Sequence, residues 1–308
     1  MASILNQPHF QNPEKARGHL EFVRWPNGPI CPHCGVIDGH YELDGKAHRK
    51  GLWKCHACRE QFTVTVGTVF EKSKIPLNIW LQAVYFLCAS KKGMSSHQLH
   101  RTLGVTYKTA WFMTHRIRKA MEVLWTDPLG GAGKVVEADE TYWGTETGRR
   151  THKLQGGARM KEMNKIVSLV ERQGKVRSYH VPDVTGENLK RVLMSKIAPE
   201  SHVITDSSPR YNEMKRLQPF AKYEQVNHSK GEYVRGKAHT NTVEGYFSLL
   251  KRGLIGTYHH VSSHHLNRYI SEFDFRYNNR EVTDSERANV ALKGITGKRL
   301  TYRRINAQ

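Results

Sequence analysis

Two cysteine pairs constrain this chain more than any other feature. Cys31 and Cys34 lie in CPHC, Cys55 and Cys58 lie in CHAC, and twenty residues separate the pairs. Two residues between cysteines let one tight turn aim both sulfurs at a single tetrahedral ion, and an intervening hairpin can bring in the second pair. The pattern predicts a four-thiolate zinc site. Four ligands fill the coordination sphere, so the Zn2+ is expected to be structural rather than catalytic. His33 and His56 sit inside the pairs and are the substitute ligands, less favoured. Cys88 stands alone in an apolar helical pattern and reads as a small core residue. Two disulfides would require an oxidising compartment, and the first 25 residues carry no signal-peptide pattern. A cytoplasmic location is expected.

With 308 residues and 38% hydrophobic content, the chain can build two or three cores. No run approaches 18 apolar residues, so no membrane partner is expected. Forty-eight Lys and Arg against 28 Asp and Glu give a formal charge of +20 and a sequence pI near 9.8. Such an excess favours a polyanion, nucleic acid first. The charge is uneven: Lys72 to Met121 contains nine Lys or Arg and no acid. Within that stretch, IPLNIWLQAVYFLCAS has helical periodicity, HQLHRTL forms a short helix ending at Gly104, and a basic amphipathic helix starts near Thr106. Helix, glycine turn and basic helix make the layout of a helix-turn-helix, expected over 71–125 after a zinc ribbon over 1–70. Lys108, Trp111, His115 and Arg116 are its candidate DNA contacts. A plain three-helix bundle with a solvated basic face is the competing reading.

After Gly133 the apolar period changes to two. VVEADETYW, KIVSLVER and VRSYHV read as strands, with a tight turn at Gln173–Gly174, then GENLKRVLMSKI as a helix and HVIT as a buried strand. The fold class is α/β: a mixed sheet with helices, expected over 134–290 and followed by a basic tail over 291–308. A basic loop from Arg149 to Lys165, including Arg149, Arg150 and Lys153, is expected to project from the sheet and meet phosphates. GGAGK at 130–134 is no phosphate loop, because Val135 stands where Ser or Thr is needed and a strand follows instead of preceding it. Strand alternation places Glu137 and Asp139 on one side and Glu140 on the other. Asp206 follows the apolar strand HVIT. Glu244 lies in the helix TVEGYFSLLKRG with Ser248 and Lys251 on the same face. Acids from three separate elements can converge on a hard cation such as Mg2+, which prefers oxygen ligands and keeps several waters.

These residues carry a family resemblance. CPHC with CHAC, QFTVTVGTVFEKSKIPL, VEADETYWG, VITDSSPRY and HTNTVEGYFSLLKRGLIGTYHHVSSHHLNRYISEFDFRYNNR together resemble the ISXO-like group of bacterial insertion-sequence DDE transposases, whose members begin with a zinc ribbon. The resemblance implies an RNase H-like catalytic core. It implies Asp139 and Asp206 as the two aspartates, Glu244 as the third acid, and Lys251 as the downstream basic residue. In parts of this group an Asn takes the third role, and Asn241 stands three residues before Glu244. Glu244 is preferred because a carboxylate neutralises a cation better than an amide does. Two Mg2+ ions, or Mn2+, are implied as cofactors. The implied partners are double-stranded DNA at the transposon ends and target, and a second copy of the chain when DNA is bound. The implied activity is strand cleavage by water followed by strand transfer, in a nucleoid-associated protein of a bacterial cytoplasm. Arg252 joins Lys251 among the expected phosphate contacts. The rivals are a zinc-dependent DNA-binding regulator with an inactive core, and an RNase H-like nuclease that cuts without joining.

Overall fold

The computed structural model describes residues 3–145, 160–227, 230–232 and 234–301. The chain divides into two compact units, one formed by 1–122 together with 281–308, the other by 123–280.

The first unit opens with helices α1 (Pro8–Gln11) and α2 (Pro13–Arg24). Asn12 starts α2 by accepting the N–H groups of Glu14 and Lys15, Pro13 supplies a preset φ, and Ala16, Leu20 and Val23 bury one face. A three-stranded antiparallel sheet follows, in the order β1 (His40–Glu42), β2 (Trp53–Cys55), β3 (Gln61–Phe62). Helix α3 (Leu77–Ala89) buries Trp80, Leu81, Ala83, Val84, Leu87 and Cys88, so Cys88 is a core residue as its setting predicts. Helices α4 (Ser96–Leu103) and α5 (Tyr107–Met121) are joined at Gly104, whose φ of 65° closes the first helix in the left-handed region. Ser95 caps α4, and Thr106 caps α5.

A further helix, Asp284–Lys293, belongs to this unit and packs against α2, α3 and α5. Thr283 and Glu286 form a reciprocal capping box at its start, and Ala288, Ala291 and Leu292 bury its inner face. The expected boundary at 290 therefore falls inside a helix. The described residues 281–301 join the N-terminal unit instead of trailing the sheet.

The second unit is a mixed five-stranded sheet with the order β6-β5-β4-β7-β8. Strands β4 (Val135–Trp143), β5 (Asn164–Glu171) and β6 (Val176–Val181) form an antiparallel meander. Helix α6 (Gly186–Lys196) returns the chain to β7 (His202–Asp206), parallel to β4. After α7 (Asn212–Leu217), β8 (Lys222–Val226) adds a parallel edge. On one face Val136, Ala138, Val167 and Leu169 pack with Leu189 and Leu193 of α6. On the other, Ile166 and Val170 pack with α8 (Asn241–Gly253) and α9 (Ser263–Asn278) through Val243, Tyr246, Leu250, Ile270 and Phe273. The strand alternation predicted for VVEADETYW holds, and it puts Asp139 on the α8 side. Among the described residues no helix is long and apolar enough to cross a membrane.

Candidate active site and cysteine cluster

The four paired cysteines come together. Their sulfurs all lie within 4.8 Å of one another, with Cys31–Cys58 at 3.7 Å and Cys34–Cys55 at 3.6 Å. A tetrahedral ion with metal–sulfur bonds of roughly 2.3 Å needs sulfurs roughly 3.8 Å apart, whereas a disulfide needs about 2 Å. The cluster fits a four-thiolate zinc site and can bind structural zinc. Both pairs use the same turn: Gly35 donates its N–H to Cys31 O and Arg59 donates to Cys55 O, each residue in the left-handed region. The N–H of Cys58 is the largest influence on Cys55 and, outweighing burial, brings its thiol down to about 6. His33 reaches Gln61 O and His56 packs beside Gly39, so neither replaces a thiol.

In the second unit β4 and β7 pair in the register Val135↔His202, Val136↔Val203, Glu137↔Ile204. Two residues further on, the same offset sets Asp139 level with Asp206 on the neighbouring strand. Both are half-buried. Burial and then the charge of Glu140 push the Asp139 carboxyl up to about 8 against the lowering pull of the Glu140 N–H, and Asp206 and Glu244 add smaller raising contributions. Glu244 is exposed near the start of α8, where Thr240 donates its hydroxyl to Glu244 Oε1 at 3.0 Å. Asn241, the first residue of that helix, is also exposed. The three carboxylates are not drawn together as tightly as the sulfurs: among the described residues, the cysteines alone form a group of three or more such ligands within 4.8 Å. Burial is the main cause of the rise at Asp139, with Asp206 and Glu244 adding smaller shares, and a divalent cation bound at a buried carboxylate would offset the cost of its charge.

Residues 128–278 match the model of the ISXO2-like transposase domain, and residues 11–61 match that of the transposase zinc-ribbon domain. The chain belongs to the ISXO2-like transposase family. It is 28% identical over 291 residues to an uncharacterized protein in transposable element ISH50 of Halobacterium salinarum, covering 89% of this chain and 92% of that protein. A solved simian T-cell lymphotropic virus intasome in complex with PP2A regulatory subunit B56 gamma aligns at 15% identity with a TM-score of 0.27. That alignment covers 64% of this chain and 63% of the solved one, less than two thirds of its length.

In this family member the expected DNA contacts separate into two sets. Lys108 is exposed in the first turn of α5, beside Tyr107, which stacks on His97 at 4.3 Å. Trp111 is half-buried. His115 and Arg116 lie in the interior, 1% and 8% exposed. Arg116 donates to Glu71 O and Leu300 O and lies over the Phe112 ring, so this guanidinium is spent on internal partners. The expectation that His115 and Arg116 face DNA is corrected by this burial. Lys251 and Arg252 are exposed at the far end of α8, and Arg252 also donates to Ser248 O. Arg149, Arg150 and Lys153 lie outside the described residues.

The transposase domain also holds functional candidates that the sequence reading left without a role. Glu140, on the opposite side of β4 from Asp139, accepts Arg210 Nη1 at 2.7 Å and Tyr211 Oη at 2.6 Å. This ties the first-aspartate strand to the turn just after Asp206. Glu137 is fully buried and meets the start of α8. The clustering of three acids in VEADE was the available signal; their partners, 70 and 105 residues away, were not visible in it.

Proposed function

We propose that the chain is an active DDE transposase that binds the ends of its insertion sequence as double-stranded DNA and catalyses metal-dependent strand cleavage and strand transfer. What carries this reading is the parallel register of β4 and β7, which continued two residues brings Asp139 opposite Asp206, with Asp139 pushed up to about 8 by burial first and by neighbouring acids after it. On this reading the mixed sheet is an RNase H-like core. Asp139 and Asp206 hold Mg2+ or Mn2+, and Glu244, in preference to Asn241, completes the set. Two such ions would supply Lewis-acid stabilisation of the attacking and leaving oxygens of a phosphodiester. The protein's own share is to fix three carboxylates on rigid elements, so that no reorganisation is needed when charge develops. Lys251 and Arg252 contribute phosphate contacts that give affinity and register rather than sequence information.

End recognition is assigned to the zinc ribbon and to α4–Gly104–α5, read as a helix-turn-helix. Recognition helices present their N-terminal residues to base edges. Here that end of α5 is the open one, with Tyr107 and Lys108 exposed and Arg101 exposed on α4, while the rest of α5 is buried or half-buried. Pairing two ends calls for a second copy of the chain on DNA.

The test is cleavage and joining of a duplex bearing the element's own ends, with Mg2+ or Mn2+. Asp139→Asn and Asp206→Asn are expected to lower cleavage about 10³-fold or more, several kcal/mol of transition-state stabilisation, while end binding is retained. Cleavage retained in either variant overturns the assignment. Cutting without joining in the wild type points to the nuclease, and binding without cutting under either metal to the regulator.

A further inference from the structure

We propose that Glu137 is a positioning residue whose carboxylate seats the helix bearing Glu244 against the strand bearing Asp139. This rests on the reading of Asp139, Asp206 and Glu244 as the metal-holding acids.

The first N–H groups of a helix have no partner within it, and a side chain at the N-cap normally supplies one. Thr240, at the N-cap of α8, makes no such bond, because its hydroxyl is turned to Glu244 Oε1. The acceptor comes instead from β4. Glu137 Oε2 accepts Thr242 N at 2.8 Å and Val243 N at 3.0 Å, and Glu137 Oε1 accepts Thr242 Oγ1 at 2.8 Å. The remaining side of the carboxylate takes Arg172 Nε at 2.5 Å, with His239 Nδ1 3.3 Å away. Arg172 in turn donates to Lys237 O and His239 O, which fixes the chain leading into α8. A carboxylate at a helix N-terminus is favoured by the helix dipole, and charge-assisted bonds are the stronger ones. Glu137 is 0% exposed, so losing one of these partners would leave a costly buried charge.

The register turns this cap into a spacer. Glu137 and Asp139 are two residues apart on one face of β4, about 6.6 Å along a strand. Glu244 follows Val243 directly. The point where α8 is anchored and the first catalytic aspartate therefore share one strand face, and the anchor lies one residue from the third acid. The charge of Glu244 is already felt at Asp139. A shift of α8 on β4 would move Glu244 without touching Asp139 or Asp206.

The experiment uses the full-length, zinc-loaded chain and follows Mn2+ binding by electron paramagnetic resonance of the free ion. Wild type, Glu137→Gln, Glu244→Gln and the double variant are compared, with thermal melting recorded in parallel. Glu137→Gln is expected to weaken Mn2+ binding about tenfold. In the Glu244→Gln background it is expected to add less than about twofold, because a residue acting through Glu244 loses its effect once that carboxylate is gone. Unchanged binding in Glu137→Gln beside weakened binding in Glu244→Gln overturns the positioning role and leaves the three-acid reading standing. An equal loss in both backgrounds likewise overturns it. Glu244→Gln binding as wild type overturns the three-acid reading itself, and the positioning role with it. Should Glu137→Gln fail to fold, Thr242→Val removes one donor to Glu137 and leaves the backbone bonds. It is then expected to weaken Mn2+ binding about two- to threefold, again only when Glu244 is present, and an unaltered midpoint overturns the role.

Discussion

Asp139 and Asp206 each lie two residues beyond the last register pair of their parallel strands, Glu137 and Ile204, and are sixty-seven residues apart in sequence, as are all three pairs. The carboxyl of Asp139 is pushed up from 3.8 to about 8 by burial and then by Glu140, Asp206 and Glu244. The folded chain thus keeps a proton that the unfolded chain sheds near pH 4. By linkage, the zinc-loaded, magnesium-free protein is most stable below about pH 4 as far as this group is concerned. It loses that increment as pH rises toward about 8, and is level beyond. Asp139→Asn is expected to remove the slope. Binding of Mn2+ must displace the proton, so its affinity is expected to rise by up to tenfold per pH unit below about 8 and then flatten. Urea unfolding and Mn2+ titration between pH 5 and 9 check both; a flat wild-type profile in each contradicts the assigned titration.

Removal of zinc is expected to unfold the ribbon and spare the five-stranded sheet. Strands β1 to β3 amount to eight residues, too few to bury a core, while four thiolates meet at one point. Structural zinc contributes on the order of 10 kcal/mol to such modules. Cys55→Ser should lose the bound ion, the protection of amides in β1–β3, and the edge contact of Trp25 with Phe62, whose rings lie 5.9 Å apart. Hydrogen exchange checks this, with β4 and β5 expected to stay protected. Equal protection of the ribbon with and without zinc would contradict it.

What the sequence made legible follows from where the information resides. The cysteine spacing, the strand alternation of VVEADETYW and the caps at Thr106 and Gly104 are local, and each reappears in the fold. Strand β8 carries little sequence signal, since KYEQV has three polar side chains and only Tyr223 and Val226 point to a core. The helix Asp284–Lys293 was split between sheet domain and tail because its short Ala-rich inner face gives a weak periodic signal. His115 and Arg116 are expected to contact DNA from their place in a basic helix. Composition counts charges without saying which are folded inward, and Arg116 is held by carbonyls 45 and 184 residues away. Likewise, alternation places Glu137 beside Asp139, yet its partner is a helix terminus created only by tertiary packing.

The same distinction separates two cations on α5. Arg116→Ala removes bonds to Glu71 O and Leu300 O and the contact with Phe112, a buried set whose loss should cost about 1–3 kcal/mol of stability. Lys108→Ala touches an exposed side chain and should change stability by less than about 0.5 kcal/mol. Its effect belongs to DNA: weaker end binding, with the slope of log affinity against log salt reduced by about 1. Thermal melting and salt-dependent binding of an end duplex read the two effects separately. A destabilised Lys108→Ala, or an Arg116→Ala that melts as wild type, would reverse the assignment.

Glu140 gives a last test of how the aspartates are held. Tyr211 is fully buried and donates its hydroxyl to Glu140 Oε2 at 2.6 Å, while Arg210 donates to Glu140 Oε1 and to Tyr142 Oη. Tyr211→Phe deletes one oxygen and leaves the carboxylate to Arg210 alone. A bond to a charged group is worth about 1.5–3 kcal/mol, so the variant is expected to lose stability of that order. Ser208 N donates to Asp206 Oδ1 at 3.1 Å, only three residues before Tyr211, and loosening the turn should reach Asp206. Cleavage at a temperature where Tyr211→Phe remains folded is therefore expected to fall about tenfold. Loss of stability with full cleavage would confine Glu140 to structural support. No loss of stability would mean that Arg210 alone satisfies the carboxylate.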